Sequence, residues 1–232
     1  MARLLLIGNS RWHWAELGAG SGELRCWHTA PASALDPADT GTLQAWAAVG
    51  ALPLQLASGS ARQIALQDVP LQGLPPWLGI DRALVGWRAW QQQGDTVLVA
   101  DAGTALSLTR VSAAGGFSGG LISAGVALQL RALMGSTAQL PAVNVAGAET
   151  SEAWPIHTEA AMAEGCRRGV AAAIAEAWRQ ACRESPIGAL WLTGGDAPGL
   201  VPLLEEQQLK PVLAPDLALE AMAALPAVGL LP

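Results

Sequence analysis

Two segments of this chain, 95 residues apart at their central glycines, follow one design. Each opens with a nearly continuous apolar run, residues 4–7 or 96–100, and turns at a glycine beside a hydroxyl, Gly8-Asn9-Ser10 or Asp101-Ala102-Gly103-Thr104. Each then returns as an extended run, residues 12–17 or 106–111. A strand apolar on both faces must be covered on both sides, which places it inside a sheet flanked by helices. The recurrence implies duplicated lobes that each begin with a strand, glycine turn, strand hairpin. The boundary is expected after residue 93, giving lobes 1–93 and 94–232, in a chain long enough to bury a real core.

The rest of the pattern alternates strands and helices. An Ala-rich segment at 42–50 reads as a short helix, 51–58 as a buried strand, and about 60–67 as a further helix. Residues 18–22, 30–41 and the Pro/Gly-rich 70–79 read as loops, and a helix follows to about residue 93. After 117–122, an extended run, helical spacing of apolar residues predicts helices at 125–137 and 158–184. A buried strand at 189–193, a helix from Pro198 to about 207, an edge strand at 212–214 and a last helix from Asp216 complete the chain. The class is α/β: two lobes, each a mixed sheet flanked by helices.

Charge narrows the chemistry. With 51% apolar and 14% charged residues the chain is a packed globule, and a net charge of −6 argues against nucleic acid and anionic membranes as partners. Lys210 is the only lysine among 13 basic residues and has no Gly-rich loop before it, so there is neither a Walker A motif nor a protein-kinase lysine motif. Any phosphate must be held by backbone N–H groups, Arg or a metal ion. Cys26, Cys166 and Cys182 are too few and too scattered for a zinc site or a disulfide framework. The apolar run near residue 4 is too short for a signal peptide, and no stretch approaches the ~20 residues of a membrane helix. A cytoplasmic protein is the expectation.

Glycine turns at strand ends let the backbone approach an anion while their N–H groups point at it. Three follow buried strands here: Gly8-Asn9-Ser10, Asp101-Ala102-Gly103-Thr104 and Gly194-Gly195-Asp196. Asp101 could hold a hydrated Mg²⁺ or a monovalent ion, or simply cap an Asx turn. Asp81, in Gly79-Ile80-Asp81-Arg82, could N-cap the following helix, or act as a base orienting a hydroxyl while Arg82 holds an anion. Trp12, Trp14, Trp46, Trp87, Trp178 and Trp191 read as packing, and Arg167-Arg168 as the solvated face of the long helix. His28 and His157 show no clustered partner. Gly116-Phe117-Ser118-Gly119-Gly120 spells a hydrolase motif but lacks the strand-to-helix context of a nucleophile elbow.

In order along the chain, these motifs resemble the type III pantothenate kinases of the actin-like superfamily. IGNSRWHWA resembles the first phosphate motif, LGIDR the pantothenate motif and DAGTA the second phosphate motif. GGLISAGVALQLRALMGSTAQLP, TEAAMAEGCRRG, LTGGDA and DLALEAM resemble the family's later segments. The resemblance implies two actin-like, ribonuclease H-like lobes closing on a cleft, ATP on the glycine hairpins, and a homodimer with pantothenate near its interface. It implies Asp81 as the base for the pantothenate hydroxyl, flanked by Gly79, Ile80 and Arg82, with Thr158 reaching pantothenate from the partner side. It implies ATP contacts from Leu6, Ile7, Gly8, Asn9, Ser10, Arg11, Trp12, His13, Thr104, Gly194 and Gly195. Asp101 would coordinate a monovalent cation, K⁺ or NH₄⁺, with Mg²⁺ accompanying ATP.

The first motif departs from the family's Asp-x-Gly-Asn-Thr-x-x-Lys. Its specified places hold Leu6, Gly8, Asn9, Ser10 and His13, so a carboxylate and a fixed positive charge are missing. Ala124 stands where the later Gly-Gly segment carries proline. Three readings stay open: an active pantothenate kinase of a divergent branch, a catalytically silent regulatory or partner-binding homologue, and a kinase for another small polyol.

Overall fold

The computed structural model describes residues 2–18, 23–36, 39, 41–53, 56, 59–143 and 152–230. The chain divides into two compact units. Unit 1 comprises Met1–Gly94, Val111–Phe117 and Asp216–Pro232, and unit 2 comprises Asp95–Arg110 and Ser118–Pro215. The main break lies one residue from the boundary read in the sequence. The C-terminal helix, read there as part of the second lobe, packs instead in unit 1.

Unit 1 is built on five strands: β1 (Ala2–Ile7), β2 (Trp12–Leu17), β3 (Leu24–Thr29), β4 (Leu43–Ala48) and β5 (Arg62–Gln63). They lie in the order β3-β2-β1-β4-β5, with β1–β2 and β2–β3 antiparallel and β1–β4 and β4–β5 parallel. Unit 2 carries β6 (Val97–Ala102), β7 (Ala105–Val111), β8 (Phe117–Ala124), β9 (Ala189–Thr193) and β10 (Val212–Leu213). Their order is β10-β9-β6-β7-β8, with β6–β9 and β9–β10 parallel. Matched strand for strand, the two orders are the same. The repeat seen at Gly8 and Gly103 therefore extends through both sheets.

Among the described residues, five helices are defined in chain order: α1 (Ile80–Gln93), α2 (Val126–Ser136), α3 (Thr158–Glu184), α4 (Ala197–Glu206) and α5 (Leu217–Ala224). In unit 1 one sheet face buries Leu5, Ile7, Trp12, Trp14 and Trp46 with Leu35 and Leu56. The alternate residues Leu4, Leu6, Ala15, Ala45 and Ala47 are equally buried on the other side. There α5 packs on β1 and β2, and α1 packs on α5 and β4. The three alanines leave room for a closely seated helix, which is why a C-terminal segment ends up in the first unit. The unit 2 core joins Leu98, Ala100, Leu190 and Leu192 to Leu130 of α2, Val170 and Ile174 of α3, and Leu200 and Leu204 of α4.

Two sequence expectations fail here. The segment 42–50 holds strand β4 (Leu43–Ala48), not a helix, because β4 lies between β1 and β5 and its alanines serve burial under helices. The helix expected at about 60–67 is replaced by β5 and a single 3₁₀ turn, Leu66–Asp68. In that turn the Asp68 carboxylate accepts the Ala65 N–H (2.8 Å) and the Arg62 guanidinium (2.9 Å), a local bond that competes with helix. Of the strand read at 51–58 and the loops read at 18–22 and 30–41, residues 54–55, 57–58, 19–22, 37–38 and 40 lie outside the described residues. No element was read for the segment that forms β3.

Arg167 and Arg168 are not a plain solvated face. Both pair with Glu164, whose side chain is buried inside α3, at 3.3 and 2.8 Å. Arg167 also donates to the Gly199 carbonyl of α4 at 2.7 Å, so the network ties two helices together. Removing the carboxylate charge leaves Arg167 with the Gly199 carbonyl, while Arg168 keeps Glu206 at 3.5 Å and is exposed enough to reach water. Glu164→Gln is therefore expected to lower the unfolding free energy by about 1–3 kcal/mol, measured by urea denaturation.

Candidate active site

The N-terminus of α1 presents the first candidate group. Gly79 is the N-cap residue, and Asp81 stands at the second helical position, so Asp81 does not cap the helix as the sequence suggested. A glycine cap has no side chain to offer, and the Asp81 Oδ1 instead accepts the Arg82 N–H at 2.8 Å, one of the helix's orphan donors. The carboxylate folds back over Gly79: a Cβ there would lie 2.5 Å from Asp81 Oδ1. Burial pushes the Asp81 carboxyl above its ordinary range, against the opposing pull of the Arg82 N–H and charge. Arg82 is half-buried, lies over the Phe117 ring at 5.9 Å, and has its own pKa lowered by burial. A desolvated carboxylate beside a guanidinium is suited to accept a hydroxyl proton near an anionic group.

The Gly8 turn lies close by in the same unit. The N–H of Gly8 donates to the Arg11 carbonyl (3.0 Å), closing the hairpin and leaving Asn9, Ser10 and Arg11 exposed. The segment after β4 clamps the turn from beneath. Val49 and Gly50 both donate to the Ile7 carbonyl, and a Cβ on Gly50 would lie 2.5 Å from the Gly8 oxygen. A Cβ on Gly79 would lie 3.8 Å from the Val49 side chain, so Val49-Gly50 joins the hairpin to the start of α1. Sequence reasoning passed over these two residues; the only signal was a glycine ending an apolar run.

His13 and Leu6 are direct cross-strand partners. Leu6 is 5% exposed, while the His13 imidazole lies with its Nε2 3.6 Å from where a Gly8 Cβ would stand. Across the next strand pair the His13 and His28 rings meet edge to face, 4.7 Å apart. Burial, with His28 and Arg11 nearby, lowers the His13 pKa to about 4. Ile7 and Trp12 are core residues of the same hairpin, so their side chains fix the turn, and only their backbone could face a ligand.

Unit 2 gathers the second group. Gly103-Thr104 joins β6 to β7, with no atom within 4 Å of a Gly103 Cβ position, so its outer side is open. The Gly125 N–H that precedes α2 donates to the Thr104 carbonyl (3.1 Å), and a Cβ at Gly125 would clash with the Gly103 carbonyl. Asp101 pairs in register with Thr193. Gly194, at φ +93°, has its α-carbon against the Ala102 carbonyl, and a Cβ would stand 2.5 Å from Asp101 Oδ1. The Asp196 N–H closes onto the Ala102 carbonyl at 2.9 Å. The two glycine turns thus form one structure around Asp101, and Gly195 beside them is exposed. Thr158, exposed, is the first residue of α3. Among the described residues no group of three or more His, Cys, Asp or Glu gathers as a metal cage.

A family model described as type III pantothenate kinase matches residues 32–180. A type III pantothenate kinase of Thermosynechococcus vestitus is 43% identical over 204 residues, covering 86% of this chain and 79% of the relative. This chain belongs to the type III pantothenate kinase family. A Synechococcus elongatus member is 37% identical over 225 residues, covering 89% of each chain. Among solved structures, a conserved Campylobacter jejuni protein described as a candidate Baf family transcriptional activator superposes with a TM-score of 0.58 at 17% identity, covering 96% of both chains. The activator of the 2-hydroxyisocaproyl-CoA dehydratase from Clostridium difficile, with bound ADPNP, gives 0.53 at 14%, covering 98% of this chain and 94% of that one. These two likenesses are of fold alone. The matched segment contains Asp81, Arg82, Asp101, Thr104 and Thr158, while the first hairpin, with Leu6 and His13, lies before it.

Proposed function

We propose that this chain transfers the γ-phosphoryl group of ATP to the primary hydroxyl of pantothenate, in the cytoplasm, as the first step toward coenzyme A. The observation that carries this reading is the part-buried Asp81 carboxylate, folded over Gly79 and beside Arg82, near the glycine turn of the first hairpin. Asp81 accepts the proton of the attacking hydroxyl, Arg82 holds the anionic end of the substrate, and Gly79 and Ile80 shape its seat. Leu6 through His13 frame the first phosphate turn, and Thr104, Gly194 and Gly195 offer the second. Phosphoryl transfer requires mostly positioning and charge stabilisation, which backbone amides can supply without a lysine.

The Asp101 carboxylate and the Ala102 carbonyl both approach the Gly194 turn, and such an oxygen donor set suits a monovalent cation. Asp101 would hold K⁺ or NH₄⁺ there, and such an ion supplies positive charge beside the phosphates; Mg²⁺ would arrive with ATP. The fit of a homodimer is supported by exposed Leu121 and Ile122 on edge strand β8 and by exposed Trp154 and Ile156 before α3. Thr158 would contact pantothenate across that interface.

Purified protein with ATP, Mg²⁺, K⁺ and pantothenate is expected to yield 4′-phosphopantothenate, detected by mass spectrometry. No product under any cation tested would overturn the reading. The Leu6–His13 pair would then favour the catalytically silent homologue, and product from another polyol the third reading.

A further inference from the structure

The first hairpin carries a cluster that the phosphotransfer reading leaves unexplained. The His13 imidazole lies against the Gly8 turn, its Nε2 3.6 Å from where a Gly8 Cβ would stand. His28, on the adjacent strand and in register with His13, brings a second imidazole to 4.7 Å. Arg11, exposed at the tip of the same turn, acts on His13 as a third basic group. On the opposite side, the cross-strand partner is Leu6, so the pairing strand offers no carboxylate.

We propose that His13 and His28 form a two-imidazole anion contact for the nucleotide's phosphates, and that the pair takes up a proton from solvent as the anion binds. The inference rests on the ATP-binding reading of this turn. In the free protein, burial and the repulsion of His28 and Arg11 keep His13 neutral at pH 7. A phosphate at Gly8–Ser10 reverses the local field and favours the imidazolium. A lysine would be cationic with or without ligand. An imidazole in this place is charged only when there is an anion to meet it.

The charged groups on the elements packed against this sheet are otherwise engaged. Asp216 at the start of α5 and Glu220 within it act on Cys26, two pairs further along the strands. Glu220 also meets Arg88 (3.8 Å) and Gln92 (3.2 Å) of α1, and Asp81 accepts the Arg82 N–H.

The chain has three histidines, so the imidazole resonances can be followed singly by NMR. The free protein is expected to show His13 titrating near the low value set by burial. Saturation with Mg²⁺ and a non-hydrolysable ATP analogue is expected to carry it into the range of an ordinary histidine or above. For a shift to the ordinary value, the ratio of wild-type to His13→Gln affinity falls about tenfold between about pH 5.5 and pH 7.5. Comparing variants cancels the protonation of the nucleotide itself. His28→Gln is expected to raise the His13 midpoint in the free protein, by removing one repelling group, and to shrink the change on binding. His13→Lys is expected to bind with no such pH dependence. Nucleotide binding that leaves the His13 titration unchanged overturns this inference alone. Absence of nucleotide binding in every variant overturns the reading beneath it as well.

Discussion

Asp81→Asn is expected to lower kcat by about 10²–10⁴-fold, the range that loss of a positioned general base produces. The amide keeps the shape of the carboxylate and can still accept the Arg82 N–H, so α1 and the Gly79 fold-back are preserved. What it cannot do is take the hydroxyl proton. Stability gives the second half of the test, and its sign follows from burial. The folded-state pKa of Asp81 is raised, so the folded protein holds its proton more tightly than the unfolded chain. Stability from this group is present at low pH and is lost as pH rises through the raised value. At neutral pH the buried charge is a liability that Asn removes. The variant is thus expected to unfold at the same or a higher temperature than wild type, while losing nearly all turnover. A structural role for Asp81 at the helix start predicts the reverse, lower stability with turnover retained. Its raised pKa also displaces the acid limb of the wild-type kcat/KM profile upward, and activity falls as pH drops through it.

The contrast between what the sequence displays and what it hides follows from where each signal resides. The hairpins at Gly8 and Gly103, the long α3 and the buried strands β6 and β9 were legible because their patterns are local: apolar continuity, a glycine, a helical period. Strand β4 was read as a helix because alanine's local preference points that way, whereas its strand state is decided by β1 and β5 on either side. The membership of α5 in unit 1 was equally invisible, since it depends on Ala15, Ala45 and Ala47 leaving room on a distant sheet. At the candidate site, the capping role that the sequence offered for Asp81 does not hold: Gly79 caps, and Asp81 sits inside the first turn. The Val49-Gly50 clamp, the His13–His28 contact and the Glu164 network could not be read at all, since each depends on residues brought together across strands or helices.

The two departures in the first phosphate motif are one departure. Positions 6 and 13 face each other across β1 and β2, so an Asp and a Lys there would stand as a cross-strand ion pair, and here both members are replaced together. This predicts strong non-additivity. Leu6→Asp alone puts a carboxylate at a position only 5% exposed, with a low-pKa imidazole opposite, and is expected to destabilise the protein by about 3 kcal/mol or more. His13→Lys alone sets a fixed charge beside Arg11 and His28 with no carboxylate to meet it, and is expected to cost about 1 kcal/mol. The double variant regains the pair and is expected to show a favourable coupling of about 1–3 kcal/mol in a double-mutant cycle read by urea unfolding. The same three proteins separate the functional readings. If the wild type turns over pantothenate, the amides of the Gly8 turn suffice and the double variant gains mainly in its KM for ATP. A silent wild type with an active double variant would place the loss of function in this one strand pair. Additive single variants would show that positions 6 and 13 act independently, and that the cross-strand account of the divergent motif is wrong.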